Sequence, residues 1–193
     1  MIRTVCVYCA SSSRTPQVYL DAATALGHTL ASAGMRVVYG GGSLGSMGRM
    51  AEAALAAGGH VTGVLPKFMD ELEWGHRSLS ELQLVEDMHE RKRRMLELSD
   101  AVVALPGGCG TLEEHFEAIT WKRLGLFFGP IVMVNINNFF DPCAAILNRA
   151  VDEHFMNERH REMWTLVPNP ESVPEALRNA PAWSRDARTF ATG

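Results

Sequence analysis

Two glycine-rich segments of this sequence could bind a phosphate group or another small anion. The first, residues 40–48, reads Gly-Gly-Gly-Ser-Leu-Gly-Ser-Met-Gly and contains the pattern G-x-G-x-x-G. The second, residues 105–114, reads Leu-Pro-Gly-Gly-Cys-Gly-Thr-Leu-Glu-Glu. Residues without side chains let backbone N–H groups approach an anion, and the helix expected after each segment adds its positive end. We therefore expect a ligand held between the two segments.

The first glycine segment differs from two familiar nucleotide-binding patterns. It follows the second predicted strand rather than the first, and Leu65 and Pro66 stand where a dinucleotide-binding protein has its ribose-binding carboxylate. The chain also lacks the G-x-x-x-x-G-K-[ST] pattern of a P-loop. The segment therefore indicates a phosphate site of another kind, or only a tight turn between a strand and a helix.

Glu114 is the carboxylate best placed to take part in chemistry beside the second segment. It follows Thr111 at the spacing of a capping box, in which a glutamate only satisfies backbone N–H groups at a helix start. The spacing is equally consistent with chemistry and with capping. Glu113 and Glu117 are expected to be solvated acids near the start of the same helix.

Arg91 is the candidate functional cation on spacing grounds, because it falls on the apolar face of a helix expected over residues 89–98. That face consists of Met88, Arg91, Met95 and Leu98. A buried cation needs a partner, and the planar guanidinium suits a phosphate or a carboxylate. The other basic residues of this run, at positions 92–94, are expected to be mostly solvated.

The elements that must position these residues alternate along the chain. Short apolar strands are predicted at 5–8, 36–39, 61–65, 82–85, 101–105, 131–135 and 165–167. Helices are predicted at 16–33, 47–57, 89–98, 112–124, 142–155 and 174–179. The irregular segment 66–80 is long enough to be a lid or a site loop.

This alternation predicts an α/β fold with a mostly parallel sheet and helices on both faces. Residues 1–180 are expected to form a single domain, and residues 181–193 a flexible C-terminal tail. In such folds a ligand binds beyond the carboxyl ends of the strands, where the strand order reverses. The apolar residues Trp121, Leu124, Leu126, Phe127 and Phe128 are expected to belong to the core rather than to a contact between subunits.

Composition restricts the classes of function. The 193 residues carry a net charge of −4, which does not favour binding to nucleic acid or to a membrane. Cys6 and Cys9 fall on a predicted strand with their side chains on opposite faces, so reduced, buried thiols in a cytoplasmic protein are expected. The seven histidines show no metal-ligand spacing, and no metal site is predicted.

Three segments together resemble the LOG ("Lonely Guy") family of cytokinin riboside 5′-monophosphate phosphoribohydrolases. They are the first glycine segment, Met88-His89-Glu90-Arg91-Lys92, and the P-G-G-x-G-T-x-x-E motif at 106–114. The resemblance runs to about residue 167 and departs from the family pattern at Ala10, Ser46 and 122–130. It implies a Rossmann-like fold, a homodimer or higher oligomer, no cofactor, and hydrolysis to a free base and ribose 5-phosphate.

The resemblance also implies roles for particular residues. Arg91 and Glu114 become the catalytic pair. The implied substrate contacts are Ser12, Gly41, Gly42, Gly45, Met88, Lys92, Gly107, Gly108, Gly110 and Thr111. Glu114 could stabilise the positive sugar of the transition state or activate water, whereas Arg91 stays protonated and could only hold the phosphate or the carboxylate.

Two other functions share parts of this pattern. A carrier of nucleotides or of molybdenum cofactor would have the same fold and glycine turns but would not need Glu114. A lysine decarboxylase would need a lysine that forms a Schiff base with a pyridoxal cofactor. The only candidates are Lys67, Lys92 and Lys122, and none lies in a recognisable cofactor setting, so the sequence disfavours this activity.

Overall fold

Seven parallel strands form one sheet in the computed structural model of the protein, which describes residues 2–72 and 74–191. The strands are β1 (Thr4–Tyr8), β2 (Arg36–Tyr39), β3 (Val61–Pro66), β4 (Glu81–Val85), β5 (Ala101–Ala104), β6 (Ile131–Val134) and β7 (Trp164–Val167). Their order across the sheet is β4-β3-β2-β1-β5-β6-β7, and every neighbouring pair is parallel. The predicted parallel α/β architecture is therefore confirmed.

Seven α-helices cover both faces of this sheet in the described part of the chain. They are α1 (Gln17–Ser32), α2 (Gly45–Ala56), α3 (Lys67–Glu71), α4 (Met88–Glu97), α5 (Cys109–Arg123), α6 (Asp141–Asp152) and α7 (Val173–Asn179). Buried residues of α1, α2 and α7 form a first core on one face, and those of α4, α5 and α6 form a second core on the other. None of the helices in the described residues has the length and apolar composition that crossing a membrane requires.

The strand order reverses at the centre of the sheet. The chain moves outward from β1 through β2 and β3 to β4, returns to pair β5 with the other side of β1, and then continues outward. The loops that follow β1 and β5 therefore diverge at the carboxyl end of the sheet and leave a crevice between them. Cys6 belongs to the second core and Cys9 to the first, and both are free thiols, as their spacing predicted.

The C-terminal segment differs from the flexible tail that the sequence predicted. Trp183, Ala187 and Phe190 are buried in the second core. The Trp183 indole N–H donates to the main-chain oxygen of Lys122 at 2.7 Å, and the Arg123 guanidinium donates to that of Ala191 at 2.6 Å. Aromatic burial holds residues 183–191 against the end of α5, while residues 192 and 193 lie outside the described part.

The apolar stretch after α5 divides between core and surface. Phe127 is buried in the second core and Trp121 packs against it. Leu124, Leu126 and Phe128 are exposed, so the prediction that they belong to the core was wrong. Their side chains form an apolar surface at the end of α5, because the chain turns sharply at Gly125 (φ +65°) and only Phe127 of the following residues points inward.

Candidate active site

A cavity of about 490 Å³ opens beyond the carboxyl ends of β1, β2, β3 and β5. Residues from the loops after these strands line it, together with side chains from α4 and α5. Both glycine segments contribute to this one cavity, and so do Arg91 and Glu114. The chain reversal between β1 and β5 thus brings together residues that lie far apart in the sequence.

Six of the ten predicted substrate contacts line this cavity. They are Ser12, Gly42, Met88, Gly108, Gly110 and Thr111. The other four have neighbours of their own within the protein. Gly41 faces Leu65 and Leu82, Gly45 packs on the chain at Ser11 and Ser12, Gly107 packs on the Thr111 side chain, and Lys92 binds two carboxylates.

The start of α2 is occupied by the protein itself. Gly45 has a φ of +61°, and a Cβ atom there would lie 2.5 Å from the main-chain oxygen of Ser12. The Met47 N–H, in the first turn of α2, donates to the main-chain oxygen of Ala10 at 3.0 Å. The loop after β1 therefore satisfies part of this helix end, which favours a structural role for the G-x-G-x-x-G segment over an anion site.

The start of α5 is open by comparison. This helix begins at Cys109, three residues before the predicted start, and no side chain caps it. The first N–H groups of a helix have no acceptor within the helix. Gly108 and Gly110 line the cavity, and nothing lies within 4 Å of the position that a Cβ atom would occupy on either residue. An anion can therefore approach these N–H groups closely.

Arg91 is a buried cation in a fixed orientation, with only 6% of its surface exposed. Its Nε donates to the main-chain oxygen of Val64 at 3.1 Å, and its Nη2 donates to that of Gly40 at 2.9 Å. A side chain at Gly40 would overlap the guanidinium, since its Cβ would lie 1.9 Å from Nη2. Glycine at this position therefore lets Arg91 pass beneath the first glycine segment, with Nη1 left nearest the carboxylate of Glu114.

Glu114 does not cap its helix. Because α5 begins at Cys109, Glu114 lies in the second turn, and its carboxylate is 4% exposed at the wall of the cavity. Its Oε1 lies 4.0 Å from Nη1 of Arg91, which is an ionic contact too long for a hydrogen bond. Of the two roles that the sequence left open, the geometry favours chemistry.

Burial raises the pKa of Glu114 to about 7. The positive charge of Arg91 lowers this pKa in part, while the neighbouring Glu113 raises it. Burial disfavours the charged form of a carboxyl group, and a single cation 4.0 Å away compensates only partly. Glu114 can therefore both hold and release a proton near neutral pH.

Lys92 was expected to be solvated, and that prediction was wrong. It is buried between α4 and α5, where its Nζ binds Glu113 and lies 3.3 Å from Oε1 of Glu117. Burial by itself lowers the pKa of Lys92, but the hydrogen bonds to Glu113 and Glu117 outweigh it and raise the pKa above its usual value. The same contacts correct the expectation that these two glutamates are only solvated.

An apolar wall of the cavity was not recognised from the sequence. It is formed by Leu44, Met47, Leu65, Met69, Trp74 and Met88, of which only Met88 was predicted as a contact. Most of these residues come from the first glycine segment and from the segment 66–80. The predicted site loop at 66–80 was the available signal, since binding residues lie disproportionately on loops.

Fold and site together define a Rossmann-like α/β protein with a cleft at the reversal of strand order, an arginine and a glutamate at its base, and an open helix start beside them. A family model described as "Possible lysine decarboxylase" matches residues 47–177. The phosphoribohydrolase LOG of Oryza sativa subsp. japonica is 42% identical over 171 residues, 89% of this chain and 71% of that protein. Cytokinin riboside 5′-monophosphate phosphoribohydrolase LOG5 of Arabidopsis thaliana is 39% identical over 90% of this chain and 76% of its own length. The chain belongs to this LOG family, as the three motifs predicted.

Solved structures with the same fold include proteins of another function. The molybdenum cofactor carrier protein of Chlamydomonas reinhardtii is 19% identical, with a TM-score of 0.72 over 93% of this chain and 98% of that one. The molybdenum cofactor binding protein of Rippkaea orientalis is also 19% identical, with a TM-score of 0.69 over 92% and 96% of the two chains. At this identity the likeness shows a shared fold and no more.

Proposed function

We propose that this protein is a hydrolase that cleaves the N-glycosidic bond of a nucleoside 5′-monophosphate, such as AMP or prenylated AMP, to give the free base and ribose 5-phosphate. The observation that carries this proposal is that Arg91, Glu114 and the open start of α5 share one cavity. The names of curated relatives about 40% identical to this chain support the same reaction.

The phosphate binds at the start of α5 in this proposal. Gly108, Gly110 and Thr111 line the cavity there, with space beside both glycines. Unpaired N–H groups and the positive end of the helix favour an anion by about 0.3–1 kcal/mol at an exposed site and up to about 2 kcal/mol at a partly buried one. This places the ribose beside Glu114, one turn further along the same helix.

Glu114 acts on the sugar. As the bond between the base nitrogen and C1′ breaks, its electron pair leaves with the base and positive charge develops on the ribose. A carboxylate beside C1′ stabilises that charge and orients the attacking water. The water oxygen forms the new bond to C1′ and one of its protons passes to Glu114, whose pKa of about 7 suits it to accept one. The departing base nitrogen takes up a proton from solvent water, and Glu114 returns its proton to solvent after the products leave.

Arg91 acts on Glu114 and on the substrate through its fixed positive charge, and it does not exchange a proton. Two of its donors are engaged by the main-chain oxygens of Val64 and Gly40, so the guanidinium cannot swing away. Its remaining Nη1 group lies between Met88 and Glu114. The fixed charge favours the ionised form of Glu114 and attracts the negatively charged substrate into the cleft.

The two other functions considered from the sequence are less well supported. A carrier has no use for a buried carboxylate with a raised pKa beside the ligand, because burying that charge costs stability. For a decarboxylase, the residues described as lining the cavity include no lysine. Lys67 binds Glu86 at the surface, Lys92 binds Glu113 and Glu117, and Lys122 donates to Gly129.

The decisive experiment is to incubate the protein with AMP and with prenylated AMP and to separate the products by chromatography. We expect equal amounts of free base and ribose 5-phosphate. Glu114→Gln should lower kcat by roughly 10²-fold or more and change the affinity for ribose 5-phosphate little. Glu175→Gln, the same substitution at an exposed position of α7 and outside the cavity, should retain activity. No release of base from either nucleotide would refute the proposed reaction.

We also propose that the protein forms a homodimer, as the family resemblance implies. Leu124, Leu126 and Phe128 present exposed apolar side chains on one short segment, a pattern typical of contact surfaces. A molecular mass in solution equal to that of one chain, across micromolar concentrations, would contradict this. The cytoplasmic location expected from the sequence stays a prediction.

A further inference from the structure

We propose that Trp74 is the residue that recognises the base, by stacking its indole ring against the flat face of the purine. This inference rests on the proposed function, because it assigns the base end of the same nucleotide. Trp74 lines the cavity, yet 51% of its surface is exposed. A large, half-exposed aromatic side chain in the lining of a cavity offers a face for a planar ligand.

The main chain around Trp74 is held firmly. The Ser43 N–H donates to the Trp74 oxygen at 3.1 Å, and the Trp74 N–H donates to the Met69 oxygen at 3.2 Å. Gly75 forms an antiparallel bridge with Gly42, and the His76 N–H donates to the Gly41 oxygen at 2.9 Å. Residues 74–76 thus run alongside the first glycine segment, joined to it by one β-bridge and by hydrogen bonds on either side, with Trp74 in the cavity lining.

A salt bridge strengthens this arrangement from the other side. Nη1 of Arg77 donates to Oδ1 of Asp70 at 2.8 Å and so ties the end of the segment to α3. The side chain of Trp74 is half-exposed, while its main-chain N–H and oxygen are both held by hydrogen bonds. A residue that is prepared in this way loses little conformational entropy when a ligand stacks on it.

The position of Trp74 suits the base rather than the phosphate. The phosphate end of the cavity is at the start of α5, after β5, whereas Trp74 lies on the side of β2 and β3. Strands β5 and β3 are three positions apart in the sheet, roughly 14 Å at the usual spacing of neighbouring strands. Glu114 lies one turn along α5 from the phosphate end, and Nη1 of Arg91, whose guanidinium is bound at the ends of β2 and β3, is 4.0 Å from its carboxylate. A nucleotide that runs from the start of α5 past Glu114 therefore brings its base to the side of Trp74.

Among the described residues, apolar side chains share this part of the cavity lining with Trp74. Leu44, Met47, Leu65 and Met69 line the same side of the cavity. Stacking of one base on an aromatic side chain is typically worth about 1–3 kcal/mol. This apolar wall should select a planar aromatic base over other leaving groups. The hydrogen bonds at the start of α5 recognise only the phosphate.

The test compares ligands with and without a base. In a Glu114→Gln background, which prevents turnover, Trp74→Leu should weaken AMP binding by about tenfold, or about 1.4 kcal/mol, and leave ribose 5-phosphate binding within twofold. Trp74→Phe, which keeps an aromatic face, should retain most of the AMP affinity. Phe68→Leu is the matched control, because Phe68 is an exposed aromatic residue of the adjacent helix α3 that is not among the described cavity residues.

Intrinsic fluorescence supplies a second measurement in the same Glu114→Gln background, in which AMP is not consumed. Trp164 and Trp183 are buried in the second core and Trp121 packs against it, so Trp74 is the indole expected to report on the cavity. AMP should quench the emission, ribose 5-phosphate should not, and Trp74→Phe should abolish the change.

Two results would overturn the assignment. The first is wild-type AMP affinity in Trp74→Leu, and the second is an equal loss of affinity for AMP and ribose 5-phosphate. These outcomes are separate from the proposed reaction. Binding of AMP through Trp74 without release of base would refute the reaction alone, and an unchanged kcat/KM for AMP in Trp74→Leu would refute the stacking role alone.

Discussion

Two opposing electrostatic effects act on Glu114, and together they bring its pKa close to neutral pH. Burial raises its pKa, and Arg91, held 4.0 Å away by two main-chain oxygens, lowers it in part. A fully solvated glutamate would be a poor base, and a closely paired one would hold no proton at pH 7. The distance between the two side chains, slightly longer than a hydrogen bond, leaves the carboxylate free to act on a ligand.

The raised pKa of Glu114 predicts that the stability of the protein depends on pH. The folded protein holds the Glu114 proton more tightly than the unfolded chain, so the bound proton stabilises the fold. This stabilisation is complete below a pH of about 4.5 and is lost as the pH rises through about 7. Glu114→Gln should therefore gain stability relative to wild type between pH 5 and pH 8, by on the order of 2–3 kcal/mol.

Urea unfolding at the two pH values measures this difference. Glu175→Gln, the same substitution at an exposed position of α7, is the control. An identical difference between Glu114→Gln and wild type at pH 5 and pH 8 would mean that the carboxyl group titrates normally in the folded protein.

At the scale of elements, the pairing of α4 with α5 creates the catalytic geometry. Arg91 is on α4 and Glu114 is on α5, and Lys92 connects the two helices through Glu113 and Glu117. The N-terminus of α4 is set by Asp87, whose side chain accepts the Glu90 N–H at 2.8 Å. The hydrogen bond from Glu90 N–H also lowers the pKa of Asp87, which keeps the cap ionised.

We predict that Lys92 acts by joining these helices and not by contacting the substrate. Lys92→Met keeps the apolar stem but removes both ion pairs, and it should lower the free energy of unfolding by about 1 kcal/mol. Its kcat should fall, because Arg91 and Glu114 lose their common support, while its Kd for ribose 5-phosphate should stay within twofold.

A direct role for Lys92 in binding the phosphate, as the family resemblance implies, would give a different result. Lys92→Met would then weaken ribose 5-phosphate binding strongly and leave both the slope and the midpoint of the denaturation curve unchanged. Arg93→Met, an exposed neighbour on the same helix, serves as the control for loss of a positive charge.

At the scale of the whole molecule, the site lies at the carboxyl end of the single sheet, and the C-terminal segment packs against the end of helix α5. Trp183 and Phe190 pack face to edge at 5.8 Å between ring centroids, beside the buried side chain of Lys122. Burial lowers the pKa of Lys122 to about 8, although its Nζ donates to Gly129 and lies 5.6 Å from the centre of the Trp183 ring. The segment thereby covers a cation at the far end of the catalytic helix α5.

Removal of the Trp183 ring should therefore destabilise the domain. Trp183→Ala would leave a cavity in the second core and remove the hydrogen bond to Lys122, with an expected loss of about 3–5 kcal/mol in the free energy of unfolding. Thermal unfolding should show this as a lower Tm, whereas the exposed Trp74→Ala should change Tm little. A Tm equal to that of wild type would support the flexible tail that the sequence predicted.

Much of the site was predictable because it depends on local patterns. The glycine segments, the motif around Glu114 and the apolar face that includes Arg91 are all visible within ten or so residues. The start of α5 was predicted three residues late, because Cys109, Gly110 and Thr111 are weak helix formers whose helical state depends on packing. That shift decides whether Glu114 caps the helix or faces the cavity.

The amino-acid sequence by itself determined the alternating elements, the parallel sheet and the identity of the two charged residues at the cleft, since periodicity, glycine placement and motif spacing are local properties. Tertiary structure decided which groups meet. It turned Lys92 towards acids of another helix, packed Gly45 against Ser12, folded Trp183 onto the core and set Trp74 over the cavity. Each of these depends on contacts between segments distant in the chain, whose packing energies no local pattern encodes.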